Sequence, residues 1–206
     1  MLRVLGRMSS INVRKVLWTA AEAGCQVDHD PAWGDGLSTR SPEFLALNPN
    51  GLIPVAITRD GALWESNTIC RFLVSAADRD DLLPNAPFAR AQVEKWMDWQ
   101  AADLNAAWRP AFLALVRGDR SIAKEEIQRS GDQWNSLMSR LEQRIGETGA
   151  YVAGSTFTVA DVGIGLSLQR WLLTPMQRPA APALSAYRAR LLDRPAAQTW
   201  APPDIP

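Results

Sequence analysis

The chain has few of the residues that build metal centres or disulfide frameworks. Among its 206 residues are one histidine, His29, and two cysteines, Cys25 and Cys70, which form no CxxC pair. These three side chains match no recognised zinc-ligand spacing, so no metal is expected. Both cysteines fall in apolar periodic segments and neither begins a helix, which favours buried, unreactive thiols over a redox or nucleophilic role.

The chain also has no excess of positive or of negative charge. Lysine and arginine together number 22, as do aspartate and glutamate, and the basic residues are scattered. This balance argues against nucleic acid and anionic membranes as main partners. No apolar run approaches the ~20 residues that a membrane helix needs, and the first residues lack the apolar region of a secretory signal. We therefore expect a cytoplasmic protein, and 47% hydrophobic residues are enough for a globular core.

Strand and helix signals alternate in the first part of the chain. A short strand ends at Gly6, and a helical stripe of apolar residues ends at Gly24. Later, Asp60-Gly61 marks a hairpin. The predicted elements are strands at 2–5, 26–30, 54–58 and 62–64, with helices at 12–23, 41–47 and 66–77. This order predicts an α/β, thioredoxin-like domain over residues 1–78.

Strand signals end with the polar segment 79–88, which contains Pro84 and Pro87 and is expected to be a linker. Beyond it, apolar residues recur at helical spacing. The predicted helices are 89–107, 121–146, 159–173 and 183–192, with Pro110 expected to kink or interrupt the first. Thr158 and Asp161 show the capping-box pattern at the start of the third. Residues 89–206 are therefore predicted to form an all-helical domain that ends in an irregular tail.

The start of the first helix carries the strongest chemical signal. Ser9, Ser10 and Asn12 stand where the helix begins, among backbone N–H groups that have no helical acceptor. A helix N-terminus attracts negative charge, so a site of this kind is suited to stabilising a thiolate.

Two further segments of the first domain have a functional and a purely structural interpretation. Pro54 begins a strand after a turn; a cis bond would turn the Ile53 backbone groups toward a peptide ligand, whereas most such bonds are trans. Glu65 and Ser66 open a helix, where they are suited to an ammonium and a carboxylate, or to simple capping.

Taken together, these segments resemble the cytosolic glutathione transferases, especially bacterial members near the theta and beta groups. The resemblance rests on Ser10 to Trp18, on Asn48 to Val55 and on Glu65 to Ile69, with Phe157 to Asp161 matching the second domain of that family. It covers nearly the whole chain. It implies the two-domain fold of that family, glutathione as co-substrate, a homodimer, and transfer of glutathione to a small, mostly apolar electrophile.

The resemblance also assigns roles to individual residues. It places the serine that activates the thiol at Ser10, with Ser9 as the nearest competitor and Asn12 close by. It implies a cis Pro54, with Ile53 binding the cysteinyl backbone of glutathione. Glu65 and Ser66 would bind the γ-glutamyl end.

The sequence specifies less closely which residues bind the glycine carboxylate of glutathione and which line the substrate pocket. Many relatives have a second donor where this chain has Leu52, so Arg40 and Trp33 are named as substitutes for binding the glycine carboxylate. Trp33, Trp108, Arg109 and Phe112 are the candidates for the substrate pocket. Trp108 is equally compatible with the core and Arg109 with the surface, while Asp103 is either a surface charge or a contact across a dimer.

Two alternatives to a transferase remain open from the sequence. One is a binding or carrier module that retains the fold without useful turnover. The absence of a second donor at Leu52 favours this alternative. The other is a glutathione-dependent isomerase of a small dicarboxylate, for which Arg7, Arg14 or Arg109 would serve as anion-binding groups. Serine at positions 9 and 10 argues against the mixed-disulfide chemistry that an active-site cysteine would imply.

Overall fold

The computed structural model describes residues 2–206 and contains a four-stranded sheet followed by a helical region. The strands are β1 (Leu2–Leu5), β2 (Val27–Asp30), β3 (Val55–Thr58) and β4 (Gly61–Trp64). The helices of the first region are α1 (Ile11–Ala23), α2 (Pro42–Leu47) and α3 (Ser66–Ala76). The thioredoxin-like fold predicted from the sequence is confirmed.

The sheet has the strand order β2-β1-β3-β4. β1 runs parallel to β2, with Leu2 opposite Val27, and antiparallel to β3, with Val4 opposite Ala56. β3 and β4 form the predicted hairpin, which closes at Thr58 and Gly61. This order brings the C-terminal end of β1, where α1 begins, next to the N-terminal end of β3, where Ile53 and Pro54 enter the sheet.

The second region is helical. Its elements are α4 (Pro87–Trp99), a π-helical segment (Gln100–Leu104), α5 (Asn105–Leu115), α6 (Lys124–Thr148), α7 (Val159–Leu173), α8 (Pro182–Leu192) and α9 (Pro195–Trp200). α7 is buried from residue 159 to residue 171 and forms the centre of this region. One apolar core runs through both regions, because α1 packs against α3 on one side and against α7 and α9 on the other.

The buried N-terminus of α7 is held by a carboxylate. The capping box between Thr158 and Asp161 is present. Asp161 accepts hydrogen bonds from the Val152 N–H at 2.9 Å and the Tyr187 hydroxyl at 2.7 Å, in addition to those from Thr158. Burial nevertheless raises the pKa of this carboxyl. Every donor to Asp161 is a backbone or side-chain group of the buried helical region. The role of Asp161 is therefore to anchor α7.

At Pro110, where the sequence predicts a kink or an interruption, the helix is not interrupted. The regular helix gives way at Gln100–Leu104, and Pro110 lies inside α5. The hydroxyl of Ser130, on α6, accepts from the Ala111 N–H at 3.0 Å and donates to the Ala107 carbonyl at 2.5 Å. A side chain from the neighbouring helix thus satisfies the backbone groups beside the proline, so α5 continues through it.

Several element ends also differ from the prediction. α4 begins at Pro87, inside the segment expected to be a linker, because proline is well tolerated in the first turn of a helix. α6 begins at Lys124 rather than at Ser121. α9 lies beyond the last helix that the sequence predicts, and Pro195 stands in its first turn, where proline is well tolerated. The last residues, 201–206, contain no helix or strand. Among the helices of residues 2–206, none is long and apolar enough to cross a membrane.

Candidate active site

Ser10 stands at the start of α1 as its N-cap residue. Its backbone is extended, and its Oγ accepts from the Val13 N–H at 3.5 Å, a long contact that leaves the hydroxyl proton available to donate. The first turn of α1 contains no acidic residue. The positive end of the helix dipole is therefore not compensated by a side chain of the helix itself, which favours an anion at this position.

Asn12 lies two residues further along and faces the second region. It lines a cavity of about 380 Å³ together with Ile11, Ala101, Ala102, Asn105, Ala106, Trp108 and Arg109. Its Oδ1 is buried and accepts no hydrogen bond within the described chain. Ser9 is half-buried, and its carbonyl accepts from Arg117 at 3.1 Å. The beginning of α1 thus meets residues of α5 across a cleft between the two regions.

Glu65 and Ser66 form a second helix start. Glu65 is exposed and has a φ of 68° and a ψ of 111°, a conformation rarely adopted by a residue with a side chain. Ser66 is the first residue of α3 and is buried. The first turn of α3, like that of α1, has no acidic residue. The pair therefore offers a carboxylate in solvent beside N–H groups that are suited to an anion.

A buried lysine lies behind Ser66, and sequence reasoning missed it. Lys15 Nζ donates to Ser66 Oγ at 3.3 Å, to Asn67 Oδ1 at 2.9 Å and to Gln100 Oε1 at 2.8 Å. Burial lowers the pKa of Lys15 to about 8. Because Ser66 Oγ accepts from Lys15, the hydroxyl proton of Ser66 is directed elsewhere. A lysine inside the apolar periodicity of α1 was the available signal.

The Ile53–Pro54 peptide bond is cis, as the resemblance implied. Gly6 explains how this loop comes so close to α1. Its φ is +142°, and a Cβ at this position would lie 2.5 Å from Val13 Cγ2 and 2.9 Å from Ile53 Cβ. Only glycine permits this approach, so the end of β1 fixes Ile53 beside the start of α1.

Arg40 lies against the turn that precedes Ile53. It is exposed, and its Nη1 donates to the Asn50 carbonyl at 3.4 Å. Leu52 is 60% exposed at the same edge and offers no polar side-chain atom. Trp33 does not line the cavity beside Trp108. Its ring packs on Phe44, with the centroids 5.1 Å apart, in the small core beside β1 and β3.

The three residues of α5 that are candidates for the substrate pocket have different environments. Trp108 is largely buried, donates from Nε1 to Asn105 at 2.9 Å, and still lines the cavity beside Asn12. Arg109 is exposed and lines the same cavity. Phe112 is buried edge-on against Trp108, at 5.3 Å between centroids, and does not line the cavity. Trp108 therefore belongs both to the core and to the cleft.

Comparisons with known proteins agree with this geometry. Residues 9–76 match the family model described as "Glutathione S-transferase, N-terminal domain". The curated Glutathione S-transferase GstB of Escherichia coli is 31% identical over 199 residues, which are 95% of each chain. The chain belongs to the glutathione S-transferase family.

Solved structures extend this likeness to three dimensions. The theta class glutathione S-transferase of Xanthomonas axonopodis pv. citri, with glutathione bound, superimposes with a TM-score of 0.89 at 34% identity, over 96% of this chain and 95% of that one. A second curated relative is not named as a transferase. Elongation factor 1-gamma 3 of Oryza sativa is 30% identical over 73% of this chain, which corresponds to 36% of that protein.

The thiols of this family member lie away from the helix starts. Cys70 is buried and accepts from the Thr19 hydroxyl at 3.2 Å, and burial raises the pKa values of both Cys70 and Cys25. His29 contacts the Gly6 carbonyl through Nε2 at 2.8 Å and thereby supports the end of β1. Residues 2–206 contain no group of three or more His, Cys, Asp or Glu side chains placed to hold a metal ion.

Proposed function

We propose that the protein transfers glutathione to small electrophiles and that Ser10 holds the glutathione sulfur as a thiolate. The observation that carries this proposal is the position of Ser10, whose hydroxyl stands at the uncompensated N-terminus of α1 beside the cleft. The glutathione bound to the Xanthomonas relative supports the choice of co-substrate.

The required stabilisation is modest. A free thiol with a pKa of ~8.5 is only a few per cent ionised at neutral pH. Lowering that pKa by about two units makes the thiolate the main form and corresponds to ~2.7 kcal/mol. One hydrogen bond to a charged group contributes ~1.5–3 kcal/mol, and the helix terminus adds ~0.3–1 kcal/mol. The hydroxyl of Ser10 and the start of α1 are therefore sufficient to stabilise the thiolate. Ser9 and Asn12 lie beside them.

The rest of the tripeptide is assigned to the loops around Ser10. In this proposal the backbone of Ile53, before the cis Pro54, pairs with the cysteinyl unit. Glu65 receives the γ-glutamyl ammonium, and Ser66 with the N-terminus of α3 receives its carboxylate. Arg40 meets the glycine carboxylate from its position beside Asn50, in the absence of a donor at Leu52.

The electrophile is assigned to the cleft between α1 and α5. Trp108 and Arg109 line it beside Asn12, while Phe112 supports Trp108 from behind. The thiolate sulfur attacks an electrophilic carbon there and displaces the leaving group with its electron pair.

Replacing Ser10 tests the activation. We expect Ser10→Ala to raise the thiol pKa of bound glutathione by about one to two units, because the hydrogen bond is lost while the helix terminus remains, and to lower the conjugation rate at neutral pH correspondingly. The ultraviolet absorbance of the thiolate, titrated with glutathione bound, measures that pKa. Ser9→Ala is the matched control and should leave it unchanged. An unchanged pKa in Ser10→Ala, or a larger effect in Ser9→Ala, would show that Ser10 does not activate the sulfur.

A binding module without turnover is the second candidate. It is favoured by the likeness to elongation factor 1-gamma and by the exposed Leu52 at the glutathione-binding edge. Binding of glutathione without conjugation of any electrophile in a broad panel would support it over the transferase.

We also propose a cytoplasmic homodimer. Large apolar side chains remain exposed in both regions of the chain: Trp64 on β4, Phe72 on α3 and Phe88 on α4. Phe88 is 78% exposed, which is unusual for a large aromatic residue with no partner and is consistent with an interface.

A further inference from the structure

Lys15 is a buried cation directly behind the place assigned to the γ-glutamyl end of glutathione. It is 2% exposed and lies on α1 among apolar residues. Its Nζ donates to Ser66 Oγ at 3.3 Å, to Asn67 Oδ1 at 2.9 Å and to Gln100 Oε1 at 2.8 Å. These acceptors belong to the start of α3 and to the π-helical segment. Lys15 therefore stands between Ser66 and the helical region.

The two amide acceptors of Lys15 are held in one orientation. Nδ2 of Asn67 donates to the Met97 carbonyl at 2.8 Å. Nε2 of Gln100 donates to Ser167 Oγ at 2.9 Å. Because each amide nitrogen has its own acceptor, each amide oxygen is directed at Lys15, and an amide oxygen can only accept.

The protonation state of Lys15 decides where the Ser66 hydroxyl proton points. An ammonium has three N–H donors, which match the three acceptors, so Ser66 Oγ accepts from Lys15 and its own proton can be donated outward. A neutral amine has two N–H groups, which the two amide oxygens take, and a lone pair to which only the Ser66 hydroxyl can donate. Burial lowers the pKa of Lys15 to about 8, so the ammonium is the main form at neutral pH.

Lys15 has no close anionic partner, since none of the ion pairs of residues 2–206 includes it. The other titratable groups that act on it are Glu65, Cys70, Arg71 and Arg170. Burial raises the pKa of Cys70, which leaves a neutral thiol, and the two arginines repel the ammonium. Glu65 attracts it, but the carboxylate of Glu65 is exposed and is assigned to the ammonium of the ligand.

A carboxylate bound at Ser66 would lie close to this charge. An oxygen that accepts from the Ser66 hydroxyl at the usual ~2.7 Å is at most about 6 Å from Lys15 Nζ, because Nζ lies 3.3 Å from Oγ. Opposite charges at this separation favour the ionised form of each other, and burial reduces their screening by salt. The N-terminus of α3, whose first turn has no acidic residue, adds to the attraction.

We propose that Lys15 is a positioning residue that gives the site its affinity for the α-carboxylate of the γ-glutamyl unit. It acts through Ser66, whose hydroxyl proton it directs at that carboxylate, and through its own charge behind the hydroxyl. This deepens the function proposed above and rests on its assignment of the γ-glutamyl carboxylate to Ser66. Lys15 does not line the cleft assigned to the electrophile, so its role concerns the binding of glutathione.

Two unreactive ligands separate this role from a structural one. One is S-methylglutathione, and the other is the same molecule with the α-carboxylate of its γ-glutamyl unit converted to a carboxamide. Calorimetry at pH 7 measures the affinity of the full chain for each, and the ratio of the two affinities is the carboxylate preference. We expect Lys15→Met to lower this preference about tenfold. A lysine that only supported the fold would affect both ligands equally, and an unchanged preference would overturn the proposal.

A second variant leaves Lys15 in place and supplies it with an anion. Gln100→Glu puts a carboxylate of nearly the same shape where Oε1 lies 2.8 Å from Nζ, which neutralises the ammonium. We expect it to lower the carboxylate preference severalfold. Gln133→Glu adds the same charge at an exposed position of α6 and should retain the wild-type preference. If Lys15→Met does not fold, Gln100→Glu decides, and a wild-type preference in that variant would contradict the role of Lys15.

The contribution of Lys15 should also depend on pH. A bound carboxylate raises the pKa of Lys15, so the affinity for S-methylglutathione falls as Lys15 loses its proton. The wild-type affinity should exceed that of Lys15→Met about tenfold at pH 7 and less than about twofold at pH 9.5. Comparing the two proteins at each pH cancels the titration of the ligand. A ratio that stays constant over this range would show that the charge of Lys15 does not attract the carboxylate.

The same measurements separate this inference from the transferase activity. If the carboxylate preference depends on Lys15 but no electrophile is conjugated, the proposed transferase activity fails and the role of Lys15 stands. If electrophiles are conjugated but the preference is the same in Lys15→Met, the role of Lys15 fails and the transferase stands. Absence of binding of S-methylglutathione to the wild-type protein would contradict both.

Discussion

At the scale of single residues, the clearest mark of function is a strained backbone. Glu65 has a positive φ although it is not glycine, and strain of this kind costs ~1–3 kcal/mol. Its side chain is exposed and makes no capping hydrogen bond to α3, so no capping contact of the side chain offsets this strain. The strain at Glu65 supports the proposal that its carboxylate binds the γ-glutamyl ammonium.

Removing the charge of Glu65 should therefore affect binding and not folding. We expect Glu65→Gln to raise KM for glutathione by about tenfold, since a charge-assisted hydrogen bond to the ammonium becomes a neutral one. The thermal midpoint should not change, because the side chain is exposed. Steady-state kinetics and thermal unfolding measure the two effects, with Glu147→Gln at the exposed end of α6 as the control. A KM equal to that of the wild-type protein would remove Glu65 from the glutathione site.

At the scale of secondary-structure elements, most helix starts were predictable because capping is local. Ser10 caps α1 at the place where the sequence indicated a helix start, Ser41 caps α2, and α7 has the predicted bounds of 159 to 173. The path of the chain around Pro110 was not predictable. It depends on Ser130, which is distant in sequence and comes into contact only when α6 packs against α5.

Ser130 therefore gives a stability prediction. Ser130→Ala removes two buried hydrogen bonds to α5, one from the Ala111 N–H and one to the Ala107 carbonyl, which should lower the free energy of unfolding by about 1–3 kcal/mol. Chemical denaturation of the variant measures the change. Ser139→Ala, also on α6, removes an exposed hydroxyl and should change stability by less than about 0.5 kcal/mol. Equal effects of the two substitutions would mean that Ser130 does not support α5.

At the scale of the whole molecule, Lys15 ties the two regions together. It reaches from α1 to Ser66 at the start of α3 and to Gln100 in the π-helical segment, and Gln100 in turn donates to Ser167 of α7 at 2.9 Å. The starts of α1 and α3 and the helical core are thus connected through one buried cation and its neutral acceptors.

The lowered pKa of Lys15 predicts how stability depends on pH. Between about pH 8 and its ordinary pKa of 10.5, Lys15 is neutral in the folded protein and protonated in the unfolded chain. The unfolded chain binds more protons in this window, so the free energy of unfolding gains up to about 3 kcal/mol from Lys15 as pH rises. Lys15→Met should remove the contribution of Lys15, so that stability rises less steeply with pH in denaturation series, whereas Lys124→Met, at an exposed position, should retain the full rise. The buried Arg170, whose pKa is lowered to about 9, accounts for part of the rise that remains. A rise as steep in Lys15→Met as in the wild-type protein would show that Lys15 does not contribute.

The sequence by itself determined the thioredoxin-like and helical regions and the candidate serine at the start of α1. These depend on apolar periodicity, on turn residues and on capping groups adjacent in the chain. Tertiary structure alone decided that Trp33 packs on Phe44 outside the cleft, and that Lys15 contacts Ser66 and Gln100. Contacts between residues as far apart as 15 and 100 leave no local pattern, because they arise only when separate helices pack together.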